Sequence, residues 1–319
     1  MNILFNIHAY LPTWCAGAEK SFHDLAKGLK ARGHDVRVIV PFVKDYEYEG
    51  IRIHKENKFD NAPLWRQADL VFTQLNSTGM SRNVCRHYGK PLVHFARNDN
   101  NYDMVRYSGP GNYIVYNSEW VARSLAYPIP GYVLPPSVDY RYYDVGGDPF
   151  GRKYITLINH NANKGANQVI EIARRMPDRE FLFVDGGYGD QITEDLPNLT
   201  VWPHQADIRE VYKVTRLLLM PSNYESWGRT CTEAMCNGIP VIHSNTPGLM
   251  ENSAGRQIAV DRDNIAEWMA TIAAMDNKKL YSTFSADGRK RARELDPEVH
   301  LTKFVQWLEV IAKRKEVAA

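Results

Sequence analysis

Short apolar segments alternate with amphipathic segments along almost the whole chain. The apolar segment 2–8 is typical of a buried strand, and Phe22, Leu25, Ala26 and Leu29 then recur at the spacing of one helix face. Strands separated by helices in this way favour a parallel sheet that helices cover on both faces. Further strands are predicted at 35–41, 49–55, 68–74, 90–96, 112–118, 153–159, 180–187, 198–204, 216–222 and 239–244, and further helices at 165–176, 228–238 and around Leu301, Phe304, Val305, Leu308 and Ile311.

The alternation is interrupted by four prolines within residues 127–139. A linker-like segment follows at 140–150, after which the pattern of strands and helices starts again. The 319 residues suit two domains of about 150 residues each. We therefore predict two Rossmann-like, doubly wound α/β domains that face each other across a cleft. The predicted domains are 1–145 and 146–295, followed by a C-terminal helix at 296–319 that packs back on the first domain.

The composition is typical of a globular protein, with 44% hydrophobic residues. The 39 basic and 37 acidic residues leave a net charge of +2, which does not indicate a strongly anionic partner such as nucleic acid. Basic clusters at 288–293 and 313–315 are interpreted as solvated helix faces. Contact with a membrane surface or a polyanion is the alternative interpretation of these clusters.

Other signals concern the location of the protein and its thiols. Cys15, Cys85, Cys231 and Cys236 form neither a CxxC pair nor a metal-binding spacing, so we expect reduced thiols in a reducing compartment. Residues 1–14 lack the pattern of a signal peptide, and no apolar run approaches the length of about 18 residues that a membrane span needs. We therefore expect a cytoplasmic protein, for which a peripheral membrane contact stays an alternative.

The strongest chemical signal is the segment 225–241, ESWGRTCTEAMCNGIPV. It follows a predicted strand, and Gly228 permits a tight turn into a helix. The first backbone N–H groups of a helix have no acceptor within the helix, so they form a site for a phosphate. Glu225 and Glu233 can then accept hydrogen bonds from hydroxyls on either side of that phosphate, which is the layout of a nucleotide sugar. The alternative is that Glu225 is a surface charge and Glu233 a solvent-facing helix residue.

The segment 225–252 resembles the signature of the glycosyltransferase family 4 group, which has the GT-B fold. The E-x7-E spacing of that signature is met by Glu225 and Glu233. Its G-x-P-V strand is met by residues 238–241, and its G-G-x-x-E-like turn by residues 247–251, with one glycine replaced.

Two further motifs carry the resemblance to nearly the whole chain. Residues 16–19, Ala-Gly-Ala-Glu, stand where the family has a G-G-x-E loop after its first strand, and Lys164 stands where it has a phosphate-binding lysine. The sequence departs from the family at Asn159, where an arginine is usual. Arg229 is a candidate for the missing positive charge, and an exposed arginine at a helix start is the alternative.

The resemblance implies transfer of a sugar from a nucleotide diphosphate sugar with retention of configuration, without a metal and without a cofactor beyond that co-substrate. The N-terminal domain would bind the acceptor and the C-terminal domain the donor. The acceptor would be a hydroxyl of a glycolipid or polysaccharide precursor, of a small metabolite or of a modified nucleobase. A nucleotide-sugar epimerase of the GT-B type and a non-catalytic sugar- or nucleotide-binding module are alternatives.

The resemblance also implies roles for individual residues. Glu225 would bind the sugar hydroxyls, Glu233 the ribose hydroxyls, and Gly17 would let the backbone approach the leaving phosphate. Arg97 aligns best with a His-or-Arg position of the family, whereas His94 lies inside the preceding strand. The implied catalytic residues are Glu225, Gly17 and Arg97, and the implied donor-binding residues are Lys164, Trp227, Gly228, Arg229, Thr230, Glu233 and, in the glycine loop beside the base pocket, Gly186.

Residues 261–263, Asp-Arg-Asp, mimic a metal-binding D-x-D motif. They precede Asn264 and Glu267, whose spacing matches a capping box at a helix start. We interpret this segment as the start of a helix and predict no metal site.

Overall fold

The structure is a computed structural model. It describes residues 1–14, 16–57, 60–99, 109–127 and 129–314. The chain forms two compact units. The first extends from Met1 to Ser137 and includes the helix that begins at Pro297, and the second extends from Val138 to Asp296.

The first unit is built on a sheet whose longer strands were predicted from the apolar segments, whereas its two strands of three residues were not. Its strands are β1 (Asn2–Asn6), β2 (Asp35–Val40), β3 (Tyr46–Tyr48), β4 (Ile51–Lys55), β5 (Leu70–Gln74), β6 (Leu92–Ala96), β7 (Asn112–Tyr116) and β8 (Gly131–Val133). Its first helices are α1 (Gly17–Ala31), α2 (Ala62–Gln67), α3 (Thr78–Tyr88) and α4 (Glu119–Leu125). Strand order is β3-β4-β2-β1-β5-β6-β7-β8; β3 runs antiparallel to β4 and the other described pairs are parallel.

The chain reverses its direction across this sheet between β1 and β5. It runs from β1 outward through β2 and β4, and then returns to the other side of β1 and continues from β5 to β8. The carboxyl ends of two such neighbouring strands border a crevice in which α/β proteins bind ligands. Gly17 follows β1, so the predicted loop lies at this position.

The second unit has an all-parallel sheet in its described residues. Its strands are β9 (Tyr154–Ile158), β10 (Phe181–Val184), β11 (Leu199–Trp202), β12 (Thr215–Met220), β13 (Val241–Ser244) and β14 (Ile258–Val260), in the order β11-β10-β9-β12-β13-β14. Its helices are α5 (Tyr140–Tyr143), α6 (Ala166–Arg175), α7 (Arg209–Val214), α8 (Arg229–Cys236), α9 (Pro247–Ser253), α10 (Ile265–Ala274) and α11 (Lys278–Glu294). The direction of winding reverses between β9 and β12, which places a second ligand crevice there.

The last helix, α12 (Pro297–Arg314), packs on the first unit. Its apolar face is buried in the same cluster as Phe72 and Phe95 of that unit. An ideal Cβ on Gly28 of α1 would lie only 2.5 Å from Leu301 Cδ1, so the two helices approach closely. The buried residues of this face are Leu301, Phe304, Leu308 and Ile311.

The division between the units falls after Ser137, ahead of the predicted boundary at residue 145. Tyr143 is buried in one cluster with Tyr212 of the second unit, so the segment 140–150 interpreted as a linker is partly core; Val138, just before it, is buried in the same cluster. The proline-rich run before it also contains β8, which was not predicted because three residues are too short to show an apolar pattern.

Three of the four cysteines, Cys85, Cys231 and Cys236, are buried free thiols, whereas Cys15 lies outside the described residues. Within the described part of the chain, no group of three or more His, Cys, Asp or Glu side chains is arranged to hold a metal ion. Over the same residues, no helix combines the length and the apolar character that crossing a membrane requires.

Candidate functional site

The loops after β9 and β12 meet at the reversal point of the second unit. The backbone N–H of Asn223 donates to the carbonyl of Asn163 at 2.8 Å. Gly165 has a φ of +87°, and a Cβ there would lie 2.3 Å from the carbonyl oxygen of Pro221. A glycine is therefore required for the two loops to come this close.

Lys164 and Glu225 form an ion pair where these loops meet. Asn161 caps the short turn that carries Lys164, because its Oδ1 accepts from the backbone N–H of Lys164 at 3.0 Å. The Lys164 ammonium donates to Glu225 Oε1, and the Ser222 hydroxyl donates to the same oxygen at 3.2 Å. The side chains of Lys164 and Glu225 are 16% and 11% exposed, so the pair is largely shielded from water.

The surroundings of Lys164 favour its charged form. Burial lowers the pKa of the Lys164 amine. The Glu225 carboxylate and the Tyr188 hydroxyl raise this pKa by more than burial lowers it, so it stands above its ordinary value. Tyr188, which was not among the predicted site residues, belongs to the glycine-rich segment after β10, residues 185–190.

The turn from Glu225 into α8 is held rigidly from α9. One side-chain nitrogen of Asn252 donates to the carbonyls of both Trp227 and Gly228 at 3.0 Å. Gly228 has a φ of +80°, as the predicted tight turn requires. A Cβ on Gly248 would lie 2.3 Å from the carbonyl oxygen of Glu225, so α9 packs directly against the turn. The N–H groups of the first turn of α8 are thereby held in place as candidate phosphate ligands.

Two arginines of α11 support the opposite ends of these short helices. Arg289 donates to the carbonyls of Cys236 and Asn237 at the end of α8, and Arg291 donates to the carbonyl of Asn252 at the end of α9. Cations at carbonyl ends offset the helix dipole. The interpretation of residues 288–293 as a solvated helix face was therefore wrong for these two arginines.

Glu233 is buried, with 3% of its surface exposed. Arg229 Nε donates to one of its oxygens at 2.7 Å and the Tyr212 hydroxyl donates to the other at 2.8 Å. The Arg229 side chain also donates to the Tyr143 hydroxyl at 2.9 Å. Neither residue is exposed to solvent, so the alternatives of a solvent-facing Glu233 and an exposed Arg229 do not hold. The Arg229 guanidinium neutralises Glu233, and it is not an open counterpart of the arginine that Asn159 replaces.

Asn159 anchors the glycine-rich segment after β10. Its Oδ1 accepts from Asn161 Nδ2 and from Gln191 Nε2, both at 3.0 Å. A Cβ on Gly186 would lie 2.1 Å from Asn159 Cγ. The glycine at this position is thus required by protein packing, in addition to any part that it has in binding a base.

In the first unit, Gly17 and Arg97 lie at the carboxyl ends of the strands. Gly17 begins α1, and a Cβ there would meet no described atom within 4 Å. Arg97 follows β6; its guanidinium lies 4.6 Å from the ring centre of Phe22 in α1, and its Nε donates to Gln74 Oε1 at 3.3 Å. His94, in contrast, is 5% exposed and bonds to the Thr78 hydroxyl at 2.9 Å, so it is a core residue.

The Asp-Arg-Asp segment starts a helix, as predicted. Asp261 Oδ1 accepts from the backbone N–H of Asp263 at 3.0 Å. Asn264 is the N-cap of α10, and its side chain exchanges hydrogen bonds with the backbone N–H and the carboxylate of Glu267. This is the N-cap half of the predicted capping box; the backbone N–H of Asn264 donates to the carbonyl of Asp261 at 3.1 Å and not to Glu267.

Residues 151–291 match the model of the family described as "Glycosyl transferases group 1". A relative, the D-inositol 3-phosphate glycosyltransferase of Segniliparus rotundus, is 26% identical over 172 residues. This match covers 45% of the chain and 38% of the relative, so it spans well under half of that relative's length.

Solved structures resemble nearly the whole chain. A glycosyltransferase from Rickettsia africae matches with a TM-score of 0.77 at 16% identity, covering 98% of both chains. Anabaena HepE in complex with UDP-glucose matches at 0.78 and 16% identity, covering 97% of this chain and 99% of its own. A sucrose-phosphate synthase from Thermosynechococcus elongatus matches at 0.78 and 14% identity, covering 98% and 99%. At such identities the likeness concerns the fold, and the predicted GT-B class is confirmed.

Proposed function

We propose that this chain is a retaining, metal-independent glycosyltransferase that moves a sugar from a nucleotide diphosphate sugar to a hydroxyl acceptor. The observation that carries the proposal is the buried Lys164–Glu225 pair beside the rigid first turn of α8, within the segment that matches the model of the glycosyl transferases group 1 family. A cation, preformed amides and a carboxylate together match the phosphates and hydroxyls of such a donor.

In this proposal Lys164 and the first amides of α8 stabilise the diphosphate as it leaves. Negative charge develops on the leaving group, and donors that are already in position stabilise it at little reorganisation cost. The turn at Trp227 and Gly228 is fixed by Asn252, which supports such preorganisation. A lysine and amides supply this stabilisation without a metal ion. Glu225 accepts hydrogen bonds from the sugar hydroxyls.

Glu233 is assigned to the ribose hydroxyls through the lone pairs that remain after Arg229 and Tyr212 have donated to it. An ionised carboxylate offers about four acceptor positions, so two protein donors do not exhaust it. Its burial makes any hydrogen bond to it stronger than one in water.

The first unit would supply the acceptor side. No described atom lies within 4 Å of a Cβ on Gly17, and Arg97 brings a positive charge to the same end of the sheet. One similar structure supports the donor class, because HepE was solved with UDP-glucose. One relative suggests an acceptor class, because the name of the Segniliparus enzyme contains an inositol phosphate. A small hydroxylated metabolite is therefore the first acceptor class to test, ahead of glycolipids and nucleobases.

A thermal-shift panel with UDP, GDP, ADP, dTDP and their glucose conjugates, with and without EDTA, tests the donor site. We expect the nucleotides of one base to raise the melting temperature of the protein and EDTA to leave that rise unchanged. A rise that EDTA abolishes would contradict metal independence. Proton NMR of the product then reads the anomeric configuration, and inversion would contradict retention.

The alternatives make different products. A protein that binds the donor but neither transfers its sugar nor slowly hydrolyses it would favour a binding module. Isomerisation of the donor sugar at C2 would favour an epimerase.

A further inference from the structure

The Lys164 ammonium and the Glu225 carboxylate form an ion pair with each other at the place where the proposed donor binds. We infer that this ion pair makes the site select the complete nucleotide sugar over the nucleotide diphosphate alone. The inference rests on the proposed function, because it assigns the phosphates to Lys164 and the sugar to Glu225.

A diphosphate without a sugar meets an unfavourable site. Its oxygens would share Lys164 with Glu225, so two anions would lie beside one cation. Since both side chains are largely shielded from water, the repulsion between carboxylate and phosphate is weakly screened. Breaking the pair instead would leave the Glu225 carboxylate with the Ser222 hydroxyl and without its cation.

Other cations near these loops are committed to the protein itself. Arg229 is bound by Glu233 and Tyr143. Arg262 donates to the carbonyl of Pro221 at 3.1 Å and forms an ion pair with Asp263. Asn159, which directly follows β9, is neutral. The charge of Lys164 therefore decides how well a phosphate is bound here.

A complete nucleotide sugar satisfies both charges at once. Its diphosphate takes Lys164, and the hydroxyls of its sugar donate to Glu225 in place of the ammonium. Each buried charge keeps a partner, which neither half of the ligand achieves by itself. After the sugar has been transferred, the hydroxyls leave Glu225, the carboxylate competes for Lys164 again, and release of the diphosphate is favoured.

Isothermal titration of the full chain with UDP and UDP-glucose, and with the corresponding pairs of GDP, ADP and dTDP, tests this inference. For the nucleotide pair that binds, we expect the glucose conjugate to bind at least about tenfold more tightly than the diphosphate. In Glu225→Gln the diphosphate should bind several-fold more tightly than in the wild type, and the conjugate more weakly. Glu210→Gln removes the same charge from the exposed start of α7, where Glu210 pairs with Lys213, and should change neither affinity.

Two results would overturn the inference while leaving the proposed function intact: a wild-type protein that binds diphosphate as tightly as the conjugate, or a folded Glu225→Gln variant without tighter diphosphate binding. The wild-type comparison decides the matter even where the variant does not fold. A wild type that binds none of these ligands would instead overturn the proposed function, and this inference with it.

Discussion

Arg229 and Glu233 stand one helical turn apart in α8 and form an ion pair of 2.7 Å whose side chains are 8% and 4% exposed. Removing one partner of a buried pair leaves the other charged and unpaired, which costs about 3–5 kcal/mol, whereas removing both costs much less. We expect Arg229→Met alone to lower the free energy of unfolding by such an amount, and Arg229→Met with Glu233→Gln to lower it less. Urea denaturation of the three proteins measures the difference. Additive losses would contradict a direct coupling of the two charges.

The same pair allows the proposed ribose contact to be tested. Glu233→Gln should weaken nucleotide diphosphate binding by about 1–3 kcal/mol, since a charged hydrogen-bond acceptor is lost. Arg229→Met keeps the carboxylate and is the matched control for disturbance of α8. Titration of both folded variants decides: equal losses of affinity would mean that Glu233 acts through the structure of the helix and does not contact the nucleotide.

Asn252 is predicted to matter for turnover beyond its contribution to stability. Asn252→Ala removes both hydrogen bonds to the carbonyls of Trp227 and Gly228, so the amides of α8 lose their fixed position. We expect a loss of about 2–3 kcal/mol in unfolding free energy and a reduction of kcat of at least about tenfold. Gln257 is a second buried amide of this unit, whose Oε1 accepts from the backbone N–H of Val241 at 2.7 Å. Gln257→Ala should cost similar stability with a much smaller change in kcat, and equal effects on kcat would contradict the role of Asn252.

Two glycines are required for different reasons, and alanine separates them. At Gly186 a methyl would collide with Asn159, so Gly186→Ala should destabilise the protein by about 1–3 kcal/mol. At Gly17 the methyl meets no described atom, so Gly17→Ala should change stability by less than about 0.5 kcal/mol while lowering turnover. Gly79 in α3 has equally open surroundings and serves as the control. Unchanged turnover in Gly17→Ala would contradict a substrate beside this residue.

His94 predicts a definite dependence of stability on pH. Burial, helped by the charge of Arg97, lowers its pKa to about 3, against about 6.5 in the unfolded chain. Between these values the unfolded state binds a proton that the folded state excludes. The stability that neutral His94 provides is therefore complete above about pH 6.5 and is lost as the pH falls towards 3.

His94→Gln removes this proton uptake. Comparing its unfolding free energy with that of the wild type, we expect the difference at pH 7 to shrink by about 2–3 kcal/mol at pH 4.5. A difference that stays constant with pH would mean that His94 is protonated in the folded protein.

The sequence predicted the parts of the fold that depend on local patterns. The apolar period of Phe22, Leu25 and Leu29 and the helix start capped by Asn264 each involve residues a few positions apart, and both are confirmed. The domain boundary was placed too late because Val138 and Tyr143 are buried by residues more than sixty positions away, which a local pattern does not contain.

For the candidate site, the sequence identified Lys164 and Glu225 separately, and the roles inferred for them stay predictions. That they bind each other depends on the adjacency of β9 and β12, which are separated by two other strands along the chain. The supporting contacts of Asn252 and Arg291 were missed for the same reason. Arg291 lies in a run of basic residues, where the usual expectation is solvation, and its carbonyl partner is distant in sequence.

The packing of α12 on the first unit has a consequence for synthesis of the protein. Domains usually fold in the order in which the ribosome makes them. Here the unit that is begun first needs Leu301, Phe304, Leu308 and Ile311 to fill its core, whereas the second unit is complete at Asp296. The nascent first unit therefore waits, with an uncovered apolar surface around Phe72 and Phe95, until the second unit has been translated. We expect a ribosome-associated chaperone to shield this apolar surface for most of the synthesis of the chain.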